Sequence, residues 1–226
     1  MDVVISVGGS VLVPELSSKR ISEFARVAEE INNSHSLSIV AGGGQTARDY
    51  IGVARDLGAN DSICDYLGID ITRINARLLI SALDPLAYPE PPTSYREAED
   101  ALADDKIPVM GGMAPGQTTD AVAAVFSEYT NADLLVYATS IDGVYSSDPR
   151  TNQDAEKFEE LPPHKLVEIV MQTELSAGSS AVVDALAAKI IERSGVKTLV
   201  LDGTDPDNLR RAILEGEHEG TEVVPE

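Results

Sequence analysis

"IVAGGGQTAR", residues 39–48, ends an apolar run in three consecutive glycines and continues into a helical stretch that carries Arg48 one turn in. Glycine costs backbone entropy wherever it sits, so three together need a reason. One reason is a loop whose bare N–H groups approach a ligand more closely than any Cβ would allow. The positive end of the following helix would then aim at the same point, which suits phosphate. The other reason is a tight strand-to-helix turn with no ligand. Three glycines followed by Arg48 favour phosphate, and the rest of the chain decides whether the loop stands alone.

Working outward, "DVVISV" (2–7) reads as a buried strand that stops at Gly8-Gly9-Ser10. Residues 18–33 read as an amphipathic helix with Ile21, Phe24, Ala25, Ala28 and Ile31 on one face. "QTARDYIGVARDLG" is helical and ends at Gly58, a C-cap residue. Leu67, Ile71, Ile74 and Leu78 recur at helical spacing, which predicts a long helix over 61–83. A proline-rich loop (84–94) and a polar helix (95–104) follow. "KIPVMGG" is a strand into a third glycine loop, and "TTDAVAAVFSEY" a helix capped by Thr118 or Thr119. "ADLLVYATS" is a strand leading into the loop "IDGVYSSDP". Helices over 162–171 and 180–194, the strand "VKTLVLDG", the helix "DPDNLRRAILEG" and a short tail strand complete the chain. Strands alternate with helices, which predicts an α/β fold with a largely parallel sheet covered on both faces.

The 226 residues carry 17 Lys and Arg against 38 Asp and Glu, a net charge of −21. That balance excludes the basic face a nucleic-acid binder needs and an anionic membrane surface as partner. The acids are spread along the chain, and arginine outnumbers lysine. This resembles the acidic surface of proteins from salt-loving organisms, where high salt screens the self-repulsion, rather than that of an ordinary acidic protein. Cys64 is the only cysteine, so no internal disulfide forms and a reducing cytoplasm is the expected compartment. The N-terminus lacks a signal-peptide pattern, and no stretch has the apolar length of a membrane span.

Gly8-Gly9-Ser10, Gly42-Gly43-Gly44, Gly111-Gly112 and Thr139-Ser140 all end predicted parallel strands, the edge where open α/β sheets bind ligands. Four such loops on one edge predict a site for a long phosphorylated ligand, or for two ligands end to end. "GGGQTA" satisfies the dinucleotide pattern, but no strand ending in an acid follows its helix. The Walker A pattern, the protein-kinase triplets and the G-x-S-x-G elbow are absent. "MAPGQTTDAVAA" (113–124) offers hydroxyls and N–H groups at a helix start. Asp120 there is either a first-turn acid favoured by the helix dipole or an organiser of donors at a reacting phosphoryl group. Lys189 is either a solvated lysine or a cation for developing charge, and Arg48 is the better-placed cation. Asp65 either accepts from a sugar hydroxyl or caps a helix. His35, His164 and His218 show no metal-ligand spacing and read as surface residues.

"SVGGSVLVPE", "VAGGGQTARDYI", "DYLGIDITRINARLLI", "IPVMGGMAPGQTTDAVAA", "ATSIDGVYSSDP" and "DALAAKIIERSG" together resemble the archaeal type of the uridylate kinase (UMP kinase) family, in the amino-acid-kinase superfamily. The resemblance runs over essentially the whole chain. It implies a three-layer α/β/α sandwich forming one domain (1–226), with an acceptor lobe over about 1–130 and an ATP lobe over about 131–226. It implies ATP-dependent phosphorylation of UMP to UDP with Mg2+, in pyrimidine nucleotide synthesis, by a cytoplasmic homohexamer built from dimers. Carried over by motif, Gly9, Ser10, Gly44 and Arg48 would line the ATP phosphates, and Thr139, Ser140, Tyr145 and Asp148 the ATP base and ribose. Gly43 and Asp65 would contact UMP, with Met113, Ala114, Pro115, Gly116, Gln117, Thr118 and Thr119 around its base and phosphate. Asp120 matches the superfamily's organising aspartate. Superfamily members often carry lysine where this chain has Ser6, and the family often has asparagine where it has Ser140. Arg48, Lys189 and Mg2+ are therefore expected to share the charge at the transferring phosphate, with Arg48, Asp120 and Lys189 as the catalytic set. Two alternatives stay open: another kinase of the superfamily, or a non-catalytic nucleotide- or oxoanion-binding protein on the same scaffold.

Overall fold

The computed structural model describes residues 1–149, 152–174 and 182–225. Apolar alternation builds the centre. In β1 (Asp2–Val7), Val3, Ile5 and Val7 face one core while Val4 faces the other, with Ser6 beside it in the period-two register. β1 pairs in parallel with β2 (Ser36–Ala41) on one side and β4 (Leu134–Thr139) on the other. β3 (Val109–Met110) extends the sheet beyond β2, and β6 (Thr198–Asp202) extends it beyond β4, both in parallel. β7 (Thr221–Val223) runs antiparallel to β6, and β5 (Glu160–Leu161) closes the far edge, giving the order β3-β2-β1-β4-β6-β7-β5.

Helices cover both faces. α1 (Gly9–Leu12), α2 (Ser18–Asn32) and α4 (Asp61–Leu83) pack on the face of Val3 and Ile5. α5 (Tyr95–Ala103), α6 (Thr119–Thr130), α7 (Pro163–Glu174) and α8 (Ala185–Ser194) pack on the face of Val4. α3 (Gly44–Asp56) lies beside α4, and α9 (Pro206–Arg210) continues into a π-helical turn, Arg211–Glu215. The result is the expected three-layer α/β/α sandwich.

The caps follow from the residues at the helix starts. Asn60, Ser94 and Thr118 accept backbone N–H bonds at the beginnings of α4, α5 and α6. Asp184 does the same for α8, so that helix begins five residues inside the expected 180–194; positions 180 and 181 lie outside the described residues. The expected strand of "KIPVMGG" is two residues long, Val109–Met110, and Gly111 and Gly112 form the expected loop under α4. None of the described helices is long and apolar enough to cross a membrane.

Candidate functional site

The starts of α1, α3 and α6 follow β1, β2 and β3, so three glycine-rich turns meet at one sheet edge. Their glycines serve first to let backbone touch backbone. A Cβ on Gly9 would lie 1.9 Å from the Gly44 nitrogen, one on Gly42 would lie 2.4 Å from the Gly9 nitrogen, and one on Gly44 would lie 2.7 Å from the Gly9 carbonyl oxygen. Gly44 also has φ +66°, a conformation that glycine adopts without strain. The β1 and β2 turns are therefore fused into one double loop. Gly111 and Gly112 make the same kind of approach to Thr72, Arg73 and Ile69 of α4, and the Thr72 hydroxyl accepts the Gly112 N–H at 2.7 Å. On the free side of the double loop, Ser10 is exposed, and Arg48 is exposed with its Nε donating to Gln45 at 3.1 Å.

The third turn is held from below. Asp65, on α4, accepts the Gly116 N–H at 2.8 Å, so its carboxylate pins the 113–117 loop and does not cap α4, a task that falls to Asn60. Thr118 starts α6, its hydroxyl oxygen accepting the Ala121 N–H at 3.1 Å. The N–H groups of Thr119 and Asp120 have no hydrogen-bond partner among the described residues. They are the orphan donors of a helix start, and with the helix dipole they form an anion seat.

Asp120 sits beneath this seat. Its Oδ1 accepts the Ser6 hydroxyl at 2.9 Å, and its backbone carbonyl accepts the Tyr137 hydroxyl at 3.0 Å. The residue keeps some surface, but protein encloses most of the carboxyl. Desolvation raises its pKa from 3.8 to about 7; the Ser6 bond opposes that rise and the nearby charge of Asp184 adds to it. Burial, with the charges of Asp120 and Asp184, also pushes the Tyr137 phenol upward. Asp184 was not among the expected site residues. It presents one oxygen to the start of α8 and accepts the Thr118 hydroxyl with the other.

At the end of β4, the Thr139 hydroxyl accepts the Ile141 N–H at 3.0 Å and folds the chain into a turn. Ser140 next to it is exposed. Tyr145 donates to Asp142 at 2.8 Å, and Lys157 reaches the other oxygen of Asp142 at 2.9 Å. Tyr145 and the buried Asp148 line a narrow recess of about 30 Å³ with Val144, Ile169, Val170 and Thr173.

Amino acid kinase family models match residues 1–202. The chain belongs to the amino acid kinase family. It is 55% identical to the uridylate kinase of Haloarcula marismortui over the full length of both chains. It is also 55% identical to that of Methanococcoides burtonii, over 95% of this chain and 92% of that one. The crystal structure of uridylate kinase from Archaeoglobus fulgidus superposes with a TM-score of 0.89 at 47% identity, covering 99% of this chain and all of the other.

Within this family fold, the expected acceptor residues Gly43 and 113–119 lie on the second and third turns, Asp65 holds the third through Gly116, and Asp120 bonds Ser6 of β1. Lys189 stands apart. It is exposed and pairs with Glu192 at 2.9 Å, while Ala187, Ala188, Ile190 and Ile191 form the buried face of α8. That is the arrangement of a solvated lysine, and no contact among the described residues joins it to Asp120. Arg73 is a cation the sequence reading passed over. Its stem lies under Gly111, and its Nε is buried with no hydrogen-bond partner among the described residues. His35 and His218 are half-buried rather than surface residues, and His218 pairs with Glu222 at 3.2 Å.

Proposed function

We propose that this protein is a UMP kinase that transfers the γ-phosphoryl group of Mg-ATP to UMP. The observation that carries this reading is the α6 start, where the free N–H groups of Thr119 and Asp120 stand over the enclosed Asp120 carboxyl, next to a double glycine loop. Full-length relatives named uridylate kinase at 55% identity support UMP as the acceptor. The acceptor seat would be the 113–119 loop with Gly43 and Asp65, and the donor seat Gly9, Ser10, Gly44 and Arg48. Thr139, Ser140, Tyr145 and Asp148 would hold the base and ribose of ATP. The two lobes, 1–130 and 131–226, supply these seats from one continuous sheet.

A UMP phosphate oxygen is already anionic near neutral pH, so the transfer needs no strong base. The chain's part is alignment and neutralisation: N–H groups at the α6 start for the acceptor, and Arg48 for the triphosphate. No three His, Cys, Asp or Glu side chains among the described residues gather as a metal group. Mg2+ fits as a companion of ATP, and the carboxyl of Asp120 suits a cation delivered with the triphosphate. When bound, that ion supplies charge neutralisation at the phosphates.

Assembly into a homohexamer built from dimers is part of the same proposal. Tyr50 and Val53 on α3, Leu57 just after it, and Ile63, Tyr66, Ile74 and Leu78 on α4 are exposed, more apolar surface than single scattered residues account for. A charge of −21 and the halophilic source of several relatives support a cytoplasmic, salt-adapted enzyme. The test is nucleotide formation from Mg-ATP in about 2 M KCl, chosen for near-complete screening, with UMP, CMP, AMP and acetylglutamate as parallel acceptors. UDP from UMP alone supports the reading. Product from another acceptor alone moves the protein elsewhere in the superfamily, and nucleotide binding without any product makes it a binding protein.

A further inference from the structure

The starts of α6 and α8 are tied together by one proton. The Thr118 hydroxyl has a single hydrogen, which it donates to Asp184 Oδ2, while its oxygen accepts from Ala121. Asp184 cannot swing to follow it, because its Oδ1 accepts the N–H groups of Leu186 at 2.8 Å and Ala187 at 3.0 Å. At the opposite ends of the same helices, Arg193 of α8 pairs with Glu128 of α6, Nε to Oε1 at 2.8 Å. The two helices are thus parallel and bound at both ends. Asp120, the second residue of α6, is held in turn by Ser6 of β1.

This arrangement poses a chemical problem. A carboxylate beside an anion seat repels a phosphate unless other donors take up its charge. Here Asp184 takes the only proton of the Thr118 hydroxyl and two N–H groups of α8.

We propose that Asp184 is a positioning residue: by taking the Thr118 proton it locks the start of α6 to α8, and it leaves the Thr119 and Asp120 N–H groups as the donors that face the acceptor phosphate. This rests on the acceptor seat assigned under the proposed function. Asp184 acts through Thr118 and touches no substrate. Its effect is therefore specific to the acceptor and disappears when the Thr118 hydroxyl is gone.

The test is a cycle of D184N, T118V and the double variant, with T118S as the conservative control. Asparagine caps a helix about as well as aspartate, so D184N keeps the α8 start. Its amide would donate to Thr118, reversing the bond and turning the threonine proton loose. D184N is expected to lower kcat/KM for UMP by about tenfold, the size of one hydrogen bond to a charged group, with KM for ATP moved less than about twofold. T118S keeps the hydroxyl and should recover most of what T118V loses. The double variant should be no worse than T118V, because the two residues form one unit. Calorimetric UMP binding by D184N, measured without ATP, should weaken in parallel. The inference is overturned if D184N leaves the UMP parameters unchanged, if it weakens ATP and UMP equally, or if the two substitutions add. A wild type that binds UMP but makes no UDP defeats the proposed function, and the D184N binding ratio then decides the inference alone. A wild type that binds no UMP defeats both.

Discussion

Replacing Asp120 by asparagine should make the ligand-free protein more stable at alkaline pH while removing its activity. The pKa of this carboxyl rises from 3.8 to about 7, chiefly through desolvation. Between those values the folded state holds a proton that the unfolded chain has lost, so stability falls as pH rises from about 3.8 to about 7 and levels off above. At 1.36 kcal/mol per pH unit, the ionised form costs the fold at most about 4 kcal/mol at pH 8.5 and about 2 kcal/mol at pH 5.5. Solvent on the open side of the carboxyl lowers both figures, so a difference of about 1 kcal/mol between the two pH values is the working expectation. For a chain of this size that corresponds to roughly 2–4 °C in Tm. An asparagine amide has its own burial cost, but that cost is the same at both pH values and cancels. The assay is thermal unfolding of wild type and D120N at pH 5.5 and 8.5 in high salt, with UDP formation measured beside it. D120N should gain roughly 2–4 °C more over wild type at pH 8.5 than at pH 5.5, and kcat should fall by about 10²-fold or more, as for other groups aimed at developing charge. A Tm difference that does not change with pH, or a D120N enzyme with wild-type kcat, refutes the reasoning.

The other expectations are shorter. G9A places a methyl group 1.9 Å from the Gly44 nitrogen, so it should push the double loop apart by about an ångström and cost on the order of 10²-fold in kcat. G52A, on a helix face with nothing within 4 Å, should instead raise stability by about 0.5–1 kcal/mol with activity unchanged; denaturant melts and turnover of both variants check this. K189A should keep kcat within about twofold, because its surface pair with Glu192 contributes about 0–1 kcal/mol, and a large loss in a steady-state assay would return Lys189 to the site. Activity should climb from low salt to about 2 M KCl as the self-repulsion of 21 net negative charges is screened, and full activity without added salt would contradict that.

The alternation of strands and helices was legible because the strands are nearly pure apolar runs and each turn after one is marked by glycine or threonine. Strand order was not, since the placement of β4 beside β1 depends on long-range packing that no local pattern records. The triple glycine was half legible. Its length announced a backbone too close for side chains, but Gly9, Gly42 and Gly44 are close to one another before they are close to any ligand. Thr118 as a cap and Asp120 as a candidate were readable from the helix start they occupy. Asp184 was not, because an aspartate before an alanine-rich helix looks like any other cap, and its second oxygen meets Thr118 across 66 residues. Lys189 erred the other way: scarcity of lysine made it conspicuous, while helical phase puts it on the exposed side of α8.

The central claim, UMP as phosphoryl acceptor, is tested most directly by following the phosphorus spectrum of one sample of protein, UMP and Mg-ATP in concentrated KCl. The account predicts that the monophosphate resonance of UMP disappears as the coupled pair of a nucleoside diphosphate grows, at a rate proportional to protein and lost in D120N. ATP that is consumed only to ADP and inorganic phosphate, with the UMP resonance unchanged, would contradict it.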